Sequence, residues 1–148
     1  MSLENVDNRF EQPVGGSTDN PLILGGTVET PAGASLKTKL VTVAIGDISS
    51  SGSVWVVPGV AGTIVGISNV IDTTITTANA GLTFEIGGTA VTGAAITIAF
   101  SGSLPGTVDQ STPSALNVIT AAEAIEIVKD GLSTVASNGV VTLEILPS

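Results

Sequence analysis

Glu123 and Glu126 are the residues that could be taken as paired carboxylates for glycoside hydrolysis. That chemistry requires two carboxyl groups on the same glycosidic bond, one as the acid and the other as the base or nucleophile. In a strand, an odd spacing places two side chains on opposite faces. We therefore predict that both glutamates are solvated and that the chain has no catalytic pair.

Three aspartates at predicted loop positions, Asp47, Asp72 and Asp109, could bind Ca²⁺ if folding brought two of them together. The sequence lacks the D-x-D-x-D-G run of a calcium loop. We predict no metal site and no cofactor.

Nucleophilic catalysis also lacks its usual residues. The chain has no Cys and no His, and its Ser and Thr hydroxyls have no Lys placed by a motif to activate them. No G-x-S-x-G sequence occurs. An enzyme is therefore the least favoured class of function.

Trp55 is the only Trp, and the chain has no Tyr. A carbohydrate-binding platform normally offers several exposed aromatic rings, and this chain has few. We predict that Trp55 is buried in the core or in an interface.

The charge balance excludes two classes of partner. Four basic residues stand against thirteen acidic ones, which gives a net charge of -9. Nucleic acids and anionic membranes bind through clustered Lys and Arg, so neither is an expected partner. The mean hydropathy is high, at +0.54, but Pro and Gly interrupt the longest apolar stretch, residues 54–71, so no transmembrane helix is predicted. No secretory signal peptide is predicted at the polar N-terminus.

The elements that must position these residues are strands. Residues 82–100 alternate apolar and polar positions, and glycines stand at the corners. Gly66, inside the longest predicted strand, indicates a bulge or a close approach of another segment. Further strands are predicted at Leu40–Ile45, Ser53–Val57, Thr63–Ile71, Ala124–Val128, Leu132–Ala136 and Val140–Leu146. Residues 37–148 are therefore expected to form an all-β, antiparallel two-sheet sandwich resembling a jelly roll.

Turn chemistry in the last third predicts two hairpins. Asp130-Gly131 and Asn138-Gly139 are typical of type I′ turns between consecutive antiparallel strands. The sequence from Thr120 to Glu123 also matches a helix capping box, which leaves a helix over 121–129 as an alternative. The β-branched residues that follow favour the strand.

Residues 1–36 form a segment rich in Gly, Pro and polar residues, in which no helix or long strand is expected. One hypothesis is a poorly ordered terminus. The other is an extended arm whose apolar residues contact a neighbouring subunit. The adjacent large aliphatic residues favour the arm, and the predicted contact residues are Phe10, Val14, Leu22, Ile23 and Leu24.

From about Ser53 onward the chain resembles small virion structural proteins of tailed bacteriophages. The matching segments are Val57-Pro58 with Gly62-Thr63-Ile64, Thr77-Ala78 to Ile86-Gly87, and Val91-Thr92-Gly93 to Ile98. It differs at Ala122-Glu123, where those proteins have Gly-Asp.

The resemblance implies a capsid decoration, or cement, protein. Such a protein is expected on the outer surface of the virion, bound to the major capsid protein as a homotrimer that stabilises the lattice. The first alternative is a receptor- or carbohydrate-binding domain of a phage head or tail fibre. The second is a secreted adhesion module, which would be expected to have a signal sequence or disulfides.

Overall fold

The computed structural model describes residues 37–148 and two short strands before them, β1 (Ile23–Leu24) and β2 (Thr27–Val28). The chain divides into two units, Met1–Lys37 and Thr38–Ser148. In the first unit, β1 and β2 pair antiparallel. All other strands belong to the second unit.

Residues 37–148 contain ten strands and no helix. Their bounds are β3 Lys39–Asp47, β4 Gly52–Val56, β5 Gly62–Ile71, β6 Ala80–Ile86, β7 Thr89–Ala90, β8 Ile96–Ile98, β9 Val108–Ser111, β10 Val118–Ile119, β11 Ile125–Lys129 and β12 Asn138–Pro147. The predicted strand after β6 ends at Ile98, and the side chain of Phe100 is exposed.

The ten strands form two antiparallel sheets of five strands each. In sheet I the order is β3-β12-β5, and the short strands β9 and β10 both pair with β5. In sheet II the order is β4-β11-β6, and the short strands β7 and β8 both pair with β6. The orders β3-β12-β5-β9 and β4-β11-β6-β8 are those of a jelly roll. The predicted all-β two-sheet sandwich is confirmed.

The core lies between the two sheets and consists mainly of Ile, Val and Leu. Every second residue of the long strands is buried, as the alternation in sequence predicted. Phe84 is the largest fully buried side chain and belongs to the same hydrophobic cluster as Ile64 and Ile145 of sheet I. Burial of each such side chain stabilises the fold by about 1.5–3 kcal/mol.

Both predicted hairpins of the last third are wrong. Residues 132–136 form no strand, and Asn138-Gly139 lies inside β12 rather than at a turn. The reason is topological: β11 pairs with β4 and β6 in sheet II, whereas β12 pairs in sheet I, so the chain must cross between the layers. Gly131 has φ +69°, and a Cβ there would collide with the backbone nitrogen of Ser51. The close approach of Ser51 explains why this position is a glycine.

The alternative helix over 121–129 is also wrong, although one of the two contacts of a capping box is present. The Thr120 N–H donates to Glu123 Oε2 at 3.1 Å, and the Glu123 N–H donates to the Thr120 carbonyl at 3.3 Å. These bonds close a single turn before β11 begins. Ile125 and Ile127 are fully buried in β11, and this burial favours the strand over a helix.

Candidate functional site

The predicted contact residues of the arm fall largely outside the described part of the chain. Phe10, Val14 and Leu22 lie outside it, while Ile23 and Leu24 form the backbone of β1. Their contact with a neighbouring subunit therefore stays a prediction.

Two of the three aspartates considered for Ca²⁺ do come together, on Ser137. Asp47 Oδ1 accepts hydrogen bonds from the backbone N–H groups of Ser49 at 2.9 Å and Ser137 at 3.1 Å. The Ser49 hydroxyl donates to the same carboxylate at 2.8 Å. Bonds from the backbone and then the side chain of Ser49 lower the pKa of Asp47 below 3.8.

Asp72, which directly follows β5, accepts hydrogen bonds from Ser137 and Asn138 at the start of β12. The Asn138 Nδ2 and backbone N–H groups each donate to it at 2.8 Å, and the Ser137 hydroxyl donates at 3.2 Å. Bonds from Asn138, first from its side chain, lower the pKa of Asp72 below 3.8. These aspartates join the ends of β3, β5 and β12. Within residues 37–148, no group of three or more His, Cys, Asp or Glu side chains is arranged to hold a metal ion.

Asp109 lies in β9 rather than in a loop, directly opposite Asn69 of β5. Asn69 is only 1 % exposed, and neither of its side-chain polar atoms has a hydrogen-bond partner. Asp109 Oδ2 is also buried without a partner, and burial raises the pKa of this carboxyl above 3.8. Sheet I therefore covers an unsatisfied polar pair, which costs stability.

The outward side chains of sheet I form a broad surface that we call face I. One row across four strands is hydroxyl and amide in character, and the Thr42 and Thr142 hydroxyls lie 3.2 Å apart. The neighbouring row is aliphatic. The first row is Thr42, Thr142, Ser68 and Gln110, and the second is Ala44, Val140, Val70 and Val108.

Face I is poor in charge. At one end of face I, Asp47 and Asp72 lie beside Asn138; away from that end, the only charged residue among the described outward ones is Glu144. It stands opposite Gly66, where the register shifts and Val65 is the extra residue, so the bulge predicted at Gly66 is confirmed. A depression of about 270 Å³ opens beside this bulge, next to Leu40 and Thr142.

The outward side chains of sheet II, which we call face II, are different in kind. Trp55 is 62 % exposed on the edge strand β4, so its predicted burial in the core is wrong, and burial in an interface stays a prediction. Its neighbours Val54 and Val56 pack against the core instead. Across the sheet, Trp55 stands opposite Glu126, and Glu126 stands opposite Glu85.

The two glutamates considered as paired carboxylates for glycoside hydrolysis lie in different structural elements. Glu123 accepts a hydrogen bond in the turn before β11, while Glu126 lies outward on face II. Sequence patterns had not identified either outer face, because each is assembled from strands far apart in the chain.

Comparison with known proteins gives no relative. No protein-family model, no characterised protein and no solved structure matches the chain. Among residues 37–148 and the β1–β2 strands, no helix is long and apolar enough to cross a membrane.

Proposed function

We propose that the protein is a structural virion protein that binds the outer surface of a phage capsid and stabilises it, as a homotrimeric decoration protein. The observation that carries this proposal is face I. It is four strands wide, presents hydroxyl and aliphatic side chains, and has Glu144 as its only described charge away from the end where Asp47 and Asp72 lie.

Such a surface suits protein contact for an energetic reason. Charged residues are depleted at the centres of protein interfaces, because removing a charge from water is costly unless it is paired. The exposed aliphatic residues of face I, including Leu40, Val108 and Val118, gain from burial against a partner. We assign the major capsid protein as this partner.

Two further arguments support the assignment. Jelly rolls recur in viral capsid and lectin domains, which is an analogy at the level of fold. The sequence also resembles small virion proteins of tailed phages. The arm residues Phe10, Val14, Leu22, Ile23 and Leu24 are proposed as additional contacts with neighbouring subunits, which a closed trimer would repeat three times.

Cosedimentation with capsids of the phage that encodes the protein tests this function. The full chain is expected to sediment with the capsids, and decorated heads are expected to release DNA at a higher temperature than bare heads. A variant lacking residues 1–36 is expected to stay folded, as judged by circular dichroism, and to lose capsid binding. If the shortened variant binds capsids as well as the full chain does, the arm has no part in capsid binding. If the full chain does not sediment with the capsids, the proposed function is wrong.

The mass in solution tests the trimer separately. Light scattering of the full chain is expected to give three times the mass of one chain, and the variant lacking residues 1–36 is expected to be a monomer. A monomer in both cases would contradict the homotrimer.

A second candidate function, a receptor- or carbohydrate-binding fibre domain, is favoured by the exposure of Trp55. Exposed aromatic rings stack on sugars, and this ring is open to solvent. Saturable binding on a glycan array, lost in Trp55→Ala, would favour this candidate. Capsid binding by the same variant at full strength would favour decoration.

A further inference from the structure

Face II carries a row of three side chains that ordinary folding requirements do not explain. Trp55 of β4, Glu126 of β11 and Glu85 of β6 are consecutive partners across three neighbouring strands. All three lie on the outer side, because the residue next to each of them in its strand faces the core. These inward neighbours are Val54, Ile127 and Phe84. Directly opposed side chains lie about 5 Å apart at their Cβ atoms.

The two glutamates of this row repel each other without compensation. Like charges directly opposite in a sheet are destabilising. Neither the Glu85 nor the Glu126 carboxylate has a hydrogen bond or ion pair with any described residue. A positive charge placed over the row would relieve this repulsion.

The exposed indole beside them restricts what that positive group can be. Trp is the best ring for cation–π contact. A guanidinium group can stack flat on the indole and donate hydrogen bonds to a carboxylate, whereas a lysine ammonium is a compact point charge. Val128, the next outward residue of β11 after Glu126, can pack against an aliphatic stem.

We infer that Trp55, Glu126 and Glu85 form a docking surface for an arginine side chain of a protein partner. Charge complementarity carries this assignment, since the face is acidic and the whole chain has a net charge of -9. The inference concerns face II alone and does not depend on the capsid function proposed for face I.

Binding at this site can be followed by tryptophan fluorescence, because Trp55 is the only Trp in the chain. The full chain is titrated, with its tryptophan emission monitored, using a short peptide in which two arginines alternate with glycines. The control peptide carries citrulline, which is neutral and nearly the same shape, in place of arginine. A saturable change in emission is expected with the arginine peptide alone, and it should weaken as salt is added.

Matched variants separate this site from general attraction to an acidic protein. Glu126→Gln and Glu85→Gln are each expected to weaken binding about twofold to fivefold, and the double variant about tenfold. Glu144→Gln changes the net charge equally but lies on face I, so it is expected to bind like the unaltered protein. Circular dichroism confirms that each variant is folded.

Two outcomes would overturn the inference. One is an equal response to the arginine and citrulline peptides, or to neither. The other is a loss of affinity in Glu144→Gln as large as that in Glu126→Gln or Glu85→Gln, which would show that net charge alone attracts the peptide.

Discussion

The two outer faces of the sandwich share one core but offer a partner different chemistry. Face I is broad, has hydroxyl and aliphatic rows and carries few charges, whereas face II presents an exposed Trp beside two opposed carboxylates. A broad surface with few charges gains from many weak contacts, while an acidic row with an aromatic ring gains from one well-placed cation. We therefore propose a different partner for each face of this small domain.

The largest expected effect comes from a substitution in the core that both faces share. Phe84 is fully buried in the core beneath them. Phe84→Ala is expected to lower the free energy of unfolding by about 3–5 kcal/mol, through lost burial and the cavity left behind. Urea unfolding followed by circular dichroism measures this change. A loss below about 1 kcal/mol would show that the sheets do not rely on this shared core.

A charge introduced into face I should separate the faces. Thr142 lies at the centre of face I, while Thr97 of β8 lies outward on sheet II. Thr142→Glu is expected to weaken capsid binding at least about 100-fold, because the new charge would be buried unpaired in the interface. Thr97→Glu is expected to bind normally, and cosedimentation at graded concentrations measures both.

Stability supplies the control for this pair of variants. Thr97 is exposed, so Thr97→Glu should change the free energy of unfolding by no more than about 0.5 kcal/mol. Thr142→Glu also loses the contact with the Thr42 hydroxyl, so its cost should stay within about 1 kcal/mol and leave the protein folded. Equal weakening of capsid binding by both variants would contradict the assignment of the capsid contact to face I.

Acid should loosen the rim of sheet I before it affects sheet II. Hydrogen bonding lowers the pKa values of Asp47 and Asp72 below 3.8, so their contribution is present above that pH and is lost as the pH falls through the folded-state pKa values. Both join the ends of sheet I strands.

Amide hydrogen exchange measures this difference between the sheets. Once corrected for the intrinsic effect of pH, exchange at residues 69–72 and 138–141 is expected to rise as the pH is lowered through the folded-state pKa values of Asp47 and Asp72, while residues 83–86 of sheet II change less. Asp72→Asn should raise exchange at this rim at pH 6, in the same direction as acid does in the unaltered protein. Uniform loosening of both sheets would contradict this prediction.

The smallest expected effect on stability comes from Asp109, whose carboxyl lies beneath face I. Burial raises the pKa of Asp109 above 3.8, so ionisation of this carboxyl costs stability as the pH rises from 3.8 through its folded-state pKa. Asp109→Asn is expected to raise the free energy of unfolding at pH 7 by up to about 1 kcal/mol. Glu144→Gln, a change in charge at an outward, half-buried position of the same sheet, serves as the control, and a loss of stability in Asp109→Asn would contradict the prediction.

The strands were predictable where burial alternates cleanly. β12 follows a period of two throughout, β5 does so on both sides of its bulge, and one side of each strand packs in the core. The segment containing Trp55 was not predictable in this way, because residues 54–57 are all apolar and periodicity cannot choose their inward side. Pairing of β4 with β11 makes that choice, and it places Val54 and Val56 inward.

The failed hairpins and the missed faces have a common cause. Asp130-Gly131 and Asn138-Gly139 look like local turns, but the consecutive strands β11 and β12 belong to different sheets, so local turn chemistry is overridden by topology. Face I likewise brings Thr42, Ser68, Gln110 and Thr142 into one row from four strands. Such a row exists only once the strand order is known.

Electron cryomicroscopy of capsids saturated with the protein would show directly which surface of the sandwich binds the capsid. We expect three copies of the sandwich around each occupied threefold site on the outer surface, with face I against the capsid protein and Trp55 turned away from it. Particles without this density, or with face I turned toward solvent, would contradict it.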